Sequence, residues 1–316
     1  MRFGVQHAIG DPAWVPAILA PGAVRGFARA AEATGWDALG FTDHPAPSAG
    51  WVGAGGEGVA EPFGMLGFVA GVTEEIRLLT WVLVPQYRNP LHGAHQVATL
   101  DAVSGGRVTL GVGTGYLRSE MRALGVDPSD RLAAFDDAVD LMKQAWAGEE
   151  ITVERDTWSA RRVRVLPPVV QQPHPPIWLH GNSPWGLARA ARWGQGWIGL
   201  VTDELLAETS RTTRLADIAA VGTRIAQLRE RTVAAGRPAD AVDAVATGFW
   251  PMLDLRRGWD VDACLEDVGR LEGLGADWIV VNVCGDDPAA AEDSVRAFGE
   301  QVVTAWKRSS PGGERG

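Results

Sequence analysis

The sequence predicts an α/β protein, a (β/α)8 TIM barrel with insertions in the βα loops. Short apolar segments alternate with longer helical patterns along most of the chain, which is typical of βα units around a parallel sheet. A helix that ends on Gly and a strand that begins near a Trp recur three times, in TGWDALGF, WGQGWIGL and LGADWIVV. We count eight strands and about eight helices with no obvious edge strand, so a closed barrel is favoured over an open sheet.

The first half of the chain supplies four strands and three helices. Eight mostly apolar residues followed by Pro85 mark the third strand, and the helix after it has Pro90 in its first turn and two glycines at its end. The predicted strands are 2–6, 37–42, 77–84 and 107–113, and the predicted helices are 21–34, 62–73 and 90–104.

The second half continues the alternation. Ser129 or Asp130 is expected to cap a helix that stops at Gly148. Further strands are predicted in PPIWLHG, GWIGLV, AVATGFW and DWIVVNV, and helices in WGLARAARWG, 203–235, VDACLEDVGRLEGLG and 288–307. Residues 45–61 and 150–166 interrupt the pattern, and the second of these regions is expected to form an inserted hairpin.

Domain organisation and location follow from what the sequence lacks. No linker divides the chain, so we expect one barrel domain over 1–308 and a disordered tail over 309–316. A net charge of -10 without a basic run argues against nucleic acid or an anionic membrane as partner. The absence of a signal peptide, of an 18-residue apolar stretch and of more than 2 cysteines predicts a cytoplasmic protein.

Polar residues collect where the predicted strands end, and in a barrel these ends meet at one face that carries the active site. The set is Gln6–His7, Asp43–His44, Gln86–Tyr87–Arg88, Gly113–Thr114–Gly115–Tyr116, His180–Gly181–Asn182–Ser183, Trp250 and Asn282.

Asp43 and His44 are the most suggestive pair in this set. A carboxylate beside a histidine can hold one tautomer of the ring and prepare it for proton transfer. The alternative is that Asp43 caps the next turn and His44 is an ordinary loop histidine, and the pair alone does not decide between them.

Two glycine-containing turns are candidates for ligand binding. GVGTGY resembles a cofactor cradle but lacks the G-x-G-x-x-G spacing, and its glycines could instead relieve crowding at the barrel rim. In HGNSPWGLARAA, Ser183 can cap a helix whose free N–H groups would face an anion.

Together these motifs resemble the luciferase-like monooxygenase superfamily, and more closely its branch of oxidoreductases that use coenzyme F420, a deazaflavin. The resemblance is carried by FTDHP at 41–45, LLTWVLVPQYRNP, LDAVSGGRVTLGVGTGYLRSE and PHPPIWLHGNS, in family order over 1–200. It implies a bacterial luciferase-like barrel with a flavin-like ring across its mouth and a strand bulge, often with a cis peptide, near Trp81–Val82. The implied cofactor-binding residues are Trp81, Val82, Gly113, Thr114, Gly115, His180, Gly181, Asn182 and Ser183.

The resemblance also implies a mechanism, in which a hydride moves at the deazaflavin and His44 moves the substrate's proton. Asp43 would orient His44. Tyr116 stands where sugar-phosphate dehydrogenases of this branch carry a Glu, and it could donate to a developing oxyanion. Because Lys is also scarce, a less charged organic substrate is expected. The expected pocket residues are His7, Trp51 and Trp250.

Three other functions stay open at this point. One is an FMN-dependent monooxygenase supplied with reduced flavin by a separate reductase, and another is a ligand-binding barrel without catalysis. The third is a metal-dependent hydrolase using His7, His44 and His180, although its usual H-x-H pair is missing and no metal site is predicted. Relatives commonly form dimers, so a homodimer is expected.

Overall fold

Eight parallel strands close into a barrel in the computed structural model, which describes residues 1–10, 13 and 15–309. The barrel strands are β1 (Arg2–Ile9), β2 (Ala38–Phe41), β3 (Arg77–Leu83), β4 (Val108–Val112), β7 (Ile177–His180), β8 (Gly196–Leu200), β9 (Asp243–Thr247) and β10 (Trp278–Cys284). Their order around the barrel is β1-β10-β9-β8-β7-β4-β3-β2. The predicted (β/α)8 fold is confirmed, and the inserted hairpin is β5 (Ile151–Glu154) and β6 (Ser159–Val163).

The longer helices around the barrel lie at or near their predicted positions, whereas the short helices at 15–18, 49–53 and 118–123 were not predicted. The helices are α1 (Val15–Ile18), α2 (Pro21–Ala33), α3 (Ala49–Gly53), α4 (Pro62–Ala70), α5 (Pro90–Val103), α6 (Arg118–Ala123), α7 (Arg131–Trp146), α8 (Pro184–Trp193), α9 (Glu204–Ser210), α10 (Ile218–Ala234), α11 (Val261–Gly273), α12 (Pro288–Phe298) and α13 (Thr304–Ser309). A 3-10 turn at Pro85–Tyr87 follows β3, and a π-helical segment at Gly299–Val303 joins α12 to α13. In the described ranges, no helix combines the length and apolar character needed to cross a membrane.

The structure differs from the sequence expectation in a few places. The helical region at 203–235 is two helices, because Arg211 adopts a left-handed conformation with φ 52° that ends the first one. Asp130 occupies the N-cap position of α7 but its side chain makes no capping bond. Ser129, the other expected cap, bonds Asp127 through both its hydroxyl and its backbone N–H. Ser309 is the last residue of α13, and the rest of the predicted tail, 310–316, lies outside the described residues.

The barrel interior is closed at its amino-terminal end by aromatic side chains. Trp178 and Trp278 meet edge to face with ring centroids 4.9 Å apart. The Arg2 guanidinium lies 4.5 Å from the Trp278 ring centroid and bonds Asp243 at 2.7 Å. A filled lower end leaves the carboxyl ends of the strands as the face where a ligand can enter.

His7 faces away from the barrel interior. Its ring stacks on Phe41 at 4.8 Å between centroids and is tilted against Phe27 of α2 at 4.9 Å. Alternate side chains of a strand point to opposite faces, so the inward position near the end of β1 belongs to Gln6. The prediction that His7 lines the substrate pocket is therefore wrong, since this side chain packs between the sheet and α2.

Replacing His7 with Phe should make the protein less sensitive to acid. Burial lowers the pKa of His7 from its usual 6.5 to about 4 in the folded protein. Between these two pH values His7 is neutral in the folded protein but protonated in the unfolded chain, which favours unfolding. Stability that is present above pH 6.5 is lost as the pH falls towards 4, by about 2 kcal/mol of unfolding free energy between pH 7.5 and pH 5. Urea unfolding at both pH values measures the difference. An equal pH dependence in the two proteins would contradict this account.

Candidate active site

A buried carboxylate holds His44 in place at the barrel mouth. Nδ1 of His44 lies 2.9 Å from Oε2 of Glu120, and the other oxygen of Glu120 accepts a hydrogen bond from Ala46 N at 3.0 Å. A carboxylate oxygen accepts a hydrogen bond from a ring nitrogen, so Nδ1 carries a hydrogen and Nε2 faces the Tyr116 hydroxyl. Glu120, on α6, has no exposed side-chain surface.

Sequence reasoning missed Glu120, which lies 76 residues from His44 in the chain. The available signal was an acidic residue four positions after Tyr116, close behind the turn that follows β4. From sequence alone, an acidic residue in the first turn of a short helix is expected to be exposed to solvent, and only the packing shows that Glu120 is buried.

Asp43 does not contact His44 through its side chain. Its two oxygens accept hydrogen bonds from Arg88 Nη2 at 2.8 and 2.9 Å, and one of them also accepts from Val84 N at 3.0 Å. Neighbouring side chains in extended backbone point in opposite directions, which separates the two residues. The prediction that Asp43 orients His44 is wrong, and Asp43 instead ties the end of β2 to the segment after β3.

Two aromatic side chains enclose the His44 ring. Trp51 approaches it at 5.3 Å between ring centroids, and Tyr116 stands edge-on at 5.5 Å with its hydroxyl 3.5 Å from Nε2. Trp51 sits on α3, whose cap Ser48 accepts a hydrogen bond from Trp51 N at 3.3 Å. The loop after β2 therefore contains an ordered helical turn that presents Trp51 to His44.

Burial raises the pKa of two groups near His44. Desolvation, with the charges of Glu57 and Glu120, raises the pKa of Tyr116 to about 12, so its phenol stays protonated and can donate. Burial raises the pKa of Glu57, which the charge of His44 partly offsets. Glu57 is half-buried and has no hydrogen bond or ion pair to any described residue, and sequence reasoning missed it inside a glycine-rich loop.

A flat wall lies beside the irregular part of β3. The Trp81–Val82 peptide bond is cis, where the resemblance implies one, and the β3–β4 register shifts between Thr80 and Leu83. A Cβ on Gly111 would collide with the Thr80 carbonyl oxygen, and one on Gly113 would come within 3.0 Å of Val82 Cγ2. These glycines keep the wall of the mouth free of side chains next to Val82.

The turn that follows β4 is held down by its own contacts. Gln86 Nε2 donates to the Thr114 carbonyl at 2.9 Å. Gly115 has φ +71°, and a Cβ there would lie 2.6 Å from the Tyr87 hydroxyl, so only glycine fits. The turn thereby brings Tyr116 to His44.

The turn after β7 has one position that differs from its prediction. Asn182 is fully buried, with Nδ2 donating to the carbonyls of Leu200 and Thr213 at 2.7 and 2.9 Å and Oδ1 accepting from Leu200 N at 3.0 Å. Because its side-chain polar atoms are occupied in joining loops, the prediction that Asn182 binds the cofactor is wrong.

The neighbours of Asn182 remain available at the mouth. Gly181 has φ +134° and open space where a side chain would be. Ser183 caps α8, as expected, by accepting from Gly186 N at 3.2 Å. Desolvation lowers the pKa of His180 to about 4, so its imidazole is neutral.

Trp250 contacts two of the outer helices. Its Nε1 donates to Asp267 of α11 at 3.0 Å, and its ring contacts Phe298 of α12 at 5.5 Å between centroids. Gly248, directly after β9, has φ +79°, a left-handed conformation that favours glycine. The ring packs between two outer helices and, with Met252, Trp259 and Cys284, lines a cavity of about 610 Å³, so the contact of Trp250 with substrate stays a prediction.

The metal-site alternative needs three histidines near one point. His7 faces α2, whereas His44 bonds Glu120 at the mouth. In the part of the chain that the structure describes, no group of three or more His, Cys, Asp or Glu side chains could hold a metal ion.

Fold and site together define a (β/α)8 protein whose βα loops build a binding mouth with a flat wall and a paired histidine. The family is more specific: residues 1–254 match the model of the luciferase-like monooxygenases, and the chain belongs to that family.

Relatives with names agree with this placement. An F420-dependent glucose-6-phosphate dehydrogenase from Kineococcus radiotolerans is 30% identical over 310 residues, covering 93% of this chain and 88% of that protein. The enzyme of the same name from Beutenbergia cavernae is 36% identical over 174 residues, 53% of this chain, and the match spans only about half of that relative, 49%.

A solved structure agrees in fold. Monooxygenase RslO1 from Streptomyces bottropensis aligns with a TM-score of 0.77 over 97% of this chain and 100% of its own, at 20% identity.

Replacing Asp43 with Asn should destabilise the protein by about 3–5 kcal/mol, because Arg88 would keep its charge without a partner in a nearly buried position. The matched control is Glu150→Gln, which breaks the exposed Arg162–Glu150 pair and should cost less than about 1 kcal/mol. Unfolding in guanidinium chloride compares the two variants. Similar losses in both would show that Asp43 does not anchor the two loops.

Proposed function

We propose that this protein is an oxidoreductase that transfers a hydride between coenzyme F420, a deazaflavin, and a small uncharged organic substrate, with His44 moving the substrate's proton. The observation that carries the proposal is the His44–Glu120 pair, enclosed by Trp51 and Tyr116 at the mouth of a luciferase-like barrel. The names of the two dehydrogenase relatives support the choice of cofactor.

The residues at the mouth fit a flat ring. Gly111 and Gly113 leave a wall without side chains next to Val82, which a Cβ at either position would fill. Asn282, at the end of β10, has a buried side-chain oxygen without a hydrogen-bond partner among the described residues. A ring N–H would satisfy such an acceptor, whose burial without a partner is otherwise unfavourable.

The turn after β7 fits the phosphate of a cofactor side chain. Ser183 begins the ten-residue helix α8, whose first N–H groups have no partner within the helix. Together with the open side of Gly181, this helix end is a favourable position for a negative group.

The bound deazaflavin would supply the hydride acceptor or donor, and the chain's own residues would manage the proton. Glu120 holds the hydrogen on Nδ1 of His44, so Nε2 can take a proton from a substrate hydroxyl and return it in the reverse direction. The same carboxylate stabilises the positive charge that His44 then carries. Tyr116, protonated near neutral pH, can donate a hydrogen bond to the substrate oxygen.

The charges of the site favour an uncharged substrate. Glu57 and Glu120 act on Tyr116, and the nearby guanidinium of Arg88 is already paired with Asp43. A phosphorylated sugar, as in the names of the two relatives, would meet acidic groups here. Trp51 and Tyr116 provide apolar surfaces instead.

Titration with coenzyme F420 and with FMN tests the cofactor. The competing function is a monooxygenase that receives reduced FMN from a separate reductase, because the same flat wall would take either ring. We expect F420 to bind at least tenfold more tightly than FMN, a difference of about 1.4 kcal/mol, as measured by fluorescence quenching. Tight binding of FMN with no measurable binding of F420 would contradict the proposed cofactor.

His44→Ala should lower kcat by about 10²–10⁴-fold while leaving the F420 dissociation constant within about threefold, because the ring moves a proton and does not bind the cofactor. Turnover is followed as the absorbance change of F420 with a substrate found by screening uncharged alcohols and ketones. His92→Ala, at an exposed position on α5, is the control and should retain full activity. Unchanged turnover in His44→Ala would show that another group handles the proton.

A further inference from the structure

Three arginines outside the pocket have no partner within the described residues. Arg118 is the first residue of α6, Arg131 is the first residue of α7, and Arg211 follows α9. None of their side chains makes a hydrogen bond or an ion pair there, and Nε of the half-buried Arg131 is shielded from solvent.

Contacts between the loops bring two of these arginines towards the start of α8. Asn182 N donates to Thr212 Oγ1 at 3.0 Å, so Arg211 lies beside the turn that precedes Ser183. Trp185 of α8 meets Phe135 of α7 edge-on at 5.5 Å between centroids. Since Phe135 is one helical turn after Arg131, the amino-terminal ends of α7 and α8 are neighbours.

Arg118 and Arg131 both carry positive charge near Arg211. Desolvation lowers the pKa of Arg211, and the charges of Arg118 and Arg131 lower it further. Arg189 on α8, by contrast, is paired with Asp136 and is not free to bind a ligand. An unpaired positive cluster is unusual in a chain whose net charge is -10.

Helix ends strengthen the attraction of this position for negative groups. The first N–H groups of α7 and α8 add partial positive charge, and the Asp130 side chain makes no capping bond at α7. Guanidinium groups bind carboxylate and phosphate oxygens in a forked geometry, which three converging arginines could offer to more than one negative group.

We propose that Arg118, Arg131 and Arg211 form a binding site for the outer, negatively charged part of a cofactor side chain, beyond the phosphate held at α8. This inference rests on the proposed function, since the ring must lie in the mouth for its side chain to pass the start of α8. The site would favour a side chain with several negative charges over one that ends in a single phosphate.

The test compares ligands that differ only in the side chain. The probes are coenzyme F420 and the same deazaflavin chromophore without its phosphate-bearing chain. In Arg118→Gln/Arg131→Gln/Arg211→Gln we expect F420 affinity to fall by about 100-fold or more, and chromophore affinity to stay within about threefold. The affinity of the native protein for F420 should also fall as salt rises, and less steeply in the variant.

Two further variants make the result specific. The control, Arg25→Gln/Arg161→Gln/Arg231→Gln, removes the same charge from exposed positions elsewhere and should leave F420 affinity unchanged. The double variant Arg118→Gln/Arg211→Gln leaves the half-buried Arg131 intact, and its F420 affinity should still fall about tenfold. The site can therefore be tested even if the triple variant does not fold. Equal losses for F420 and the chromophore, or equal losses in the control, would overturn the site.

Failure of the proposed function would look different. If the native protein binds neither F420 nor its chromophore, the cofactor assignment fails, and citrate then probes the arginines alone by calorimetry. Binding of citrate that disappears in the triple variant would support an anion site. No binding of citrate to the native protein would overturn it.

Discussion

The hydrogen bond between Glu120 and His44 is the contact on which the candidate site depends. It joins the loop after β2 to the helix after β4, two segments 76 residues apart in the chain. A carboxylate with no exposed surface needs every available partner, and Glu120 takes His44 with one oxygen and Ala46 N with the other. One buried charge thus sets the hydrogen of the ring, its orientation and the course of the loop that carries Trp51.

The charges of the mouth are divided between two regions. Acidic groups, Glu57 and Glu120, lie around the histidine, while unpaired arginines gather where α6, α7 and α9 meet the start of α8. Asp43 and Arg88 also lie near the histidine, but their opposite charges neutralise each other in an ion pair. In the proposed function this division lets one side of the mouth attract a charged cofactor chain while the other favours an uncharged substrate.

Several corrections have one physical origin, which is that a polar residue at a strand end can face either side of the sheet. Gln6 and His7 are adjacent, yet His7 packs under α2. Asp43 and His44 are adjacent as well, yet they bond Arg88 and Glu120 respectively. Asn182 joins loops with the side chain that the motif offered to a cofactor. A motif indicates which residues are near the mouth. The direction in which each side chain points depends on strand register and on contacts with residues far along the chain.

The sequence by itself predicted the barrel, its strands, the longer helices and the motifs that place it in its family, because these depend on local periodicity and on glycine and proline. The glycines of the turn after β4 and the capping role of Ser183 were readable for the same reason. The sequence did not predict the short helices α1, α3 and α6. Only the tertiary structure decided that Glu120 holds His44, that Arg88 neutralises Asp43 and that three arginines converge. The first two contacts link residues 76 and 45 positions apart, and Arg211 lies 80 and 93 positions from Arg131 and Arg118. Local patterns do not encode such contacts, which form only when the loops pack together at the barrel mouth.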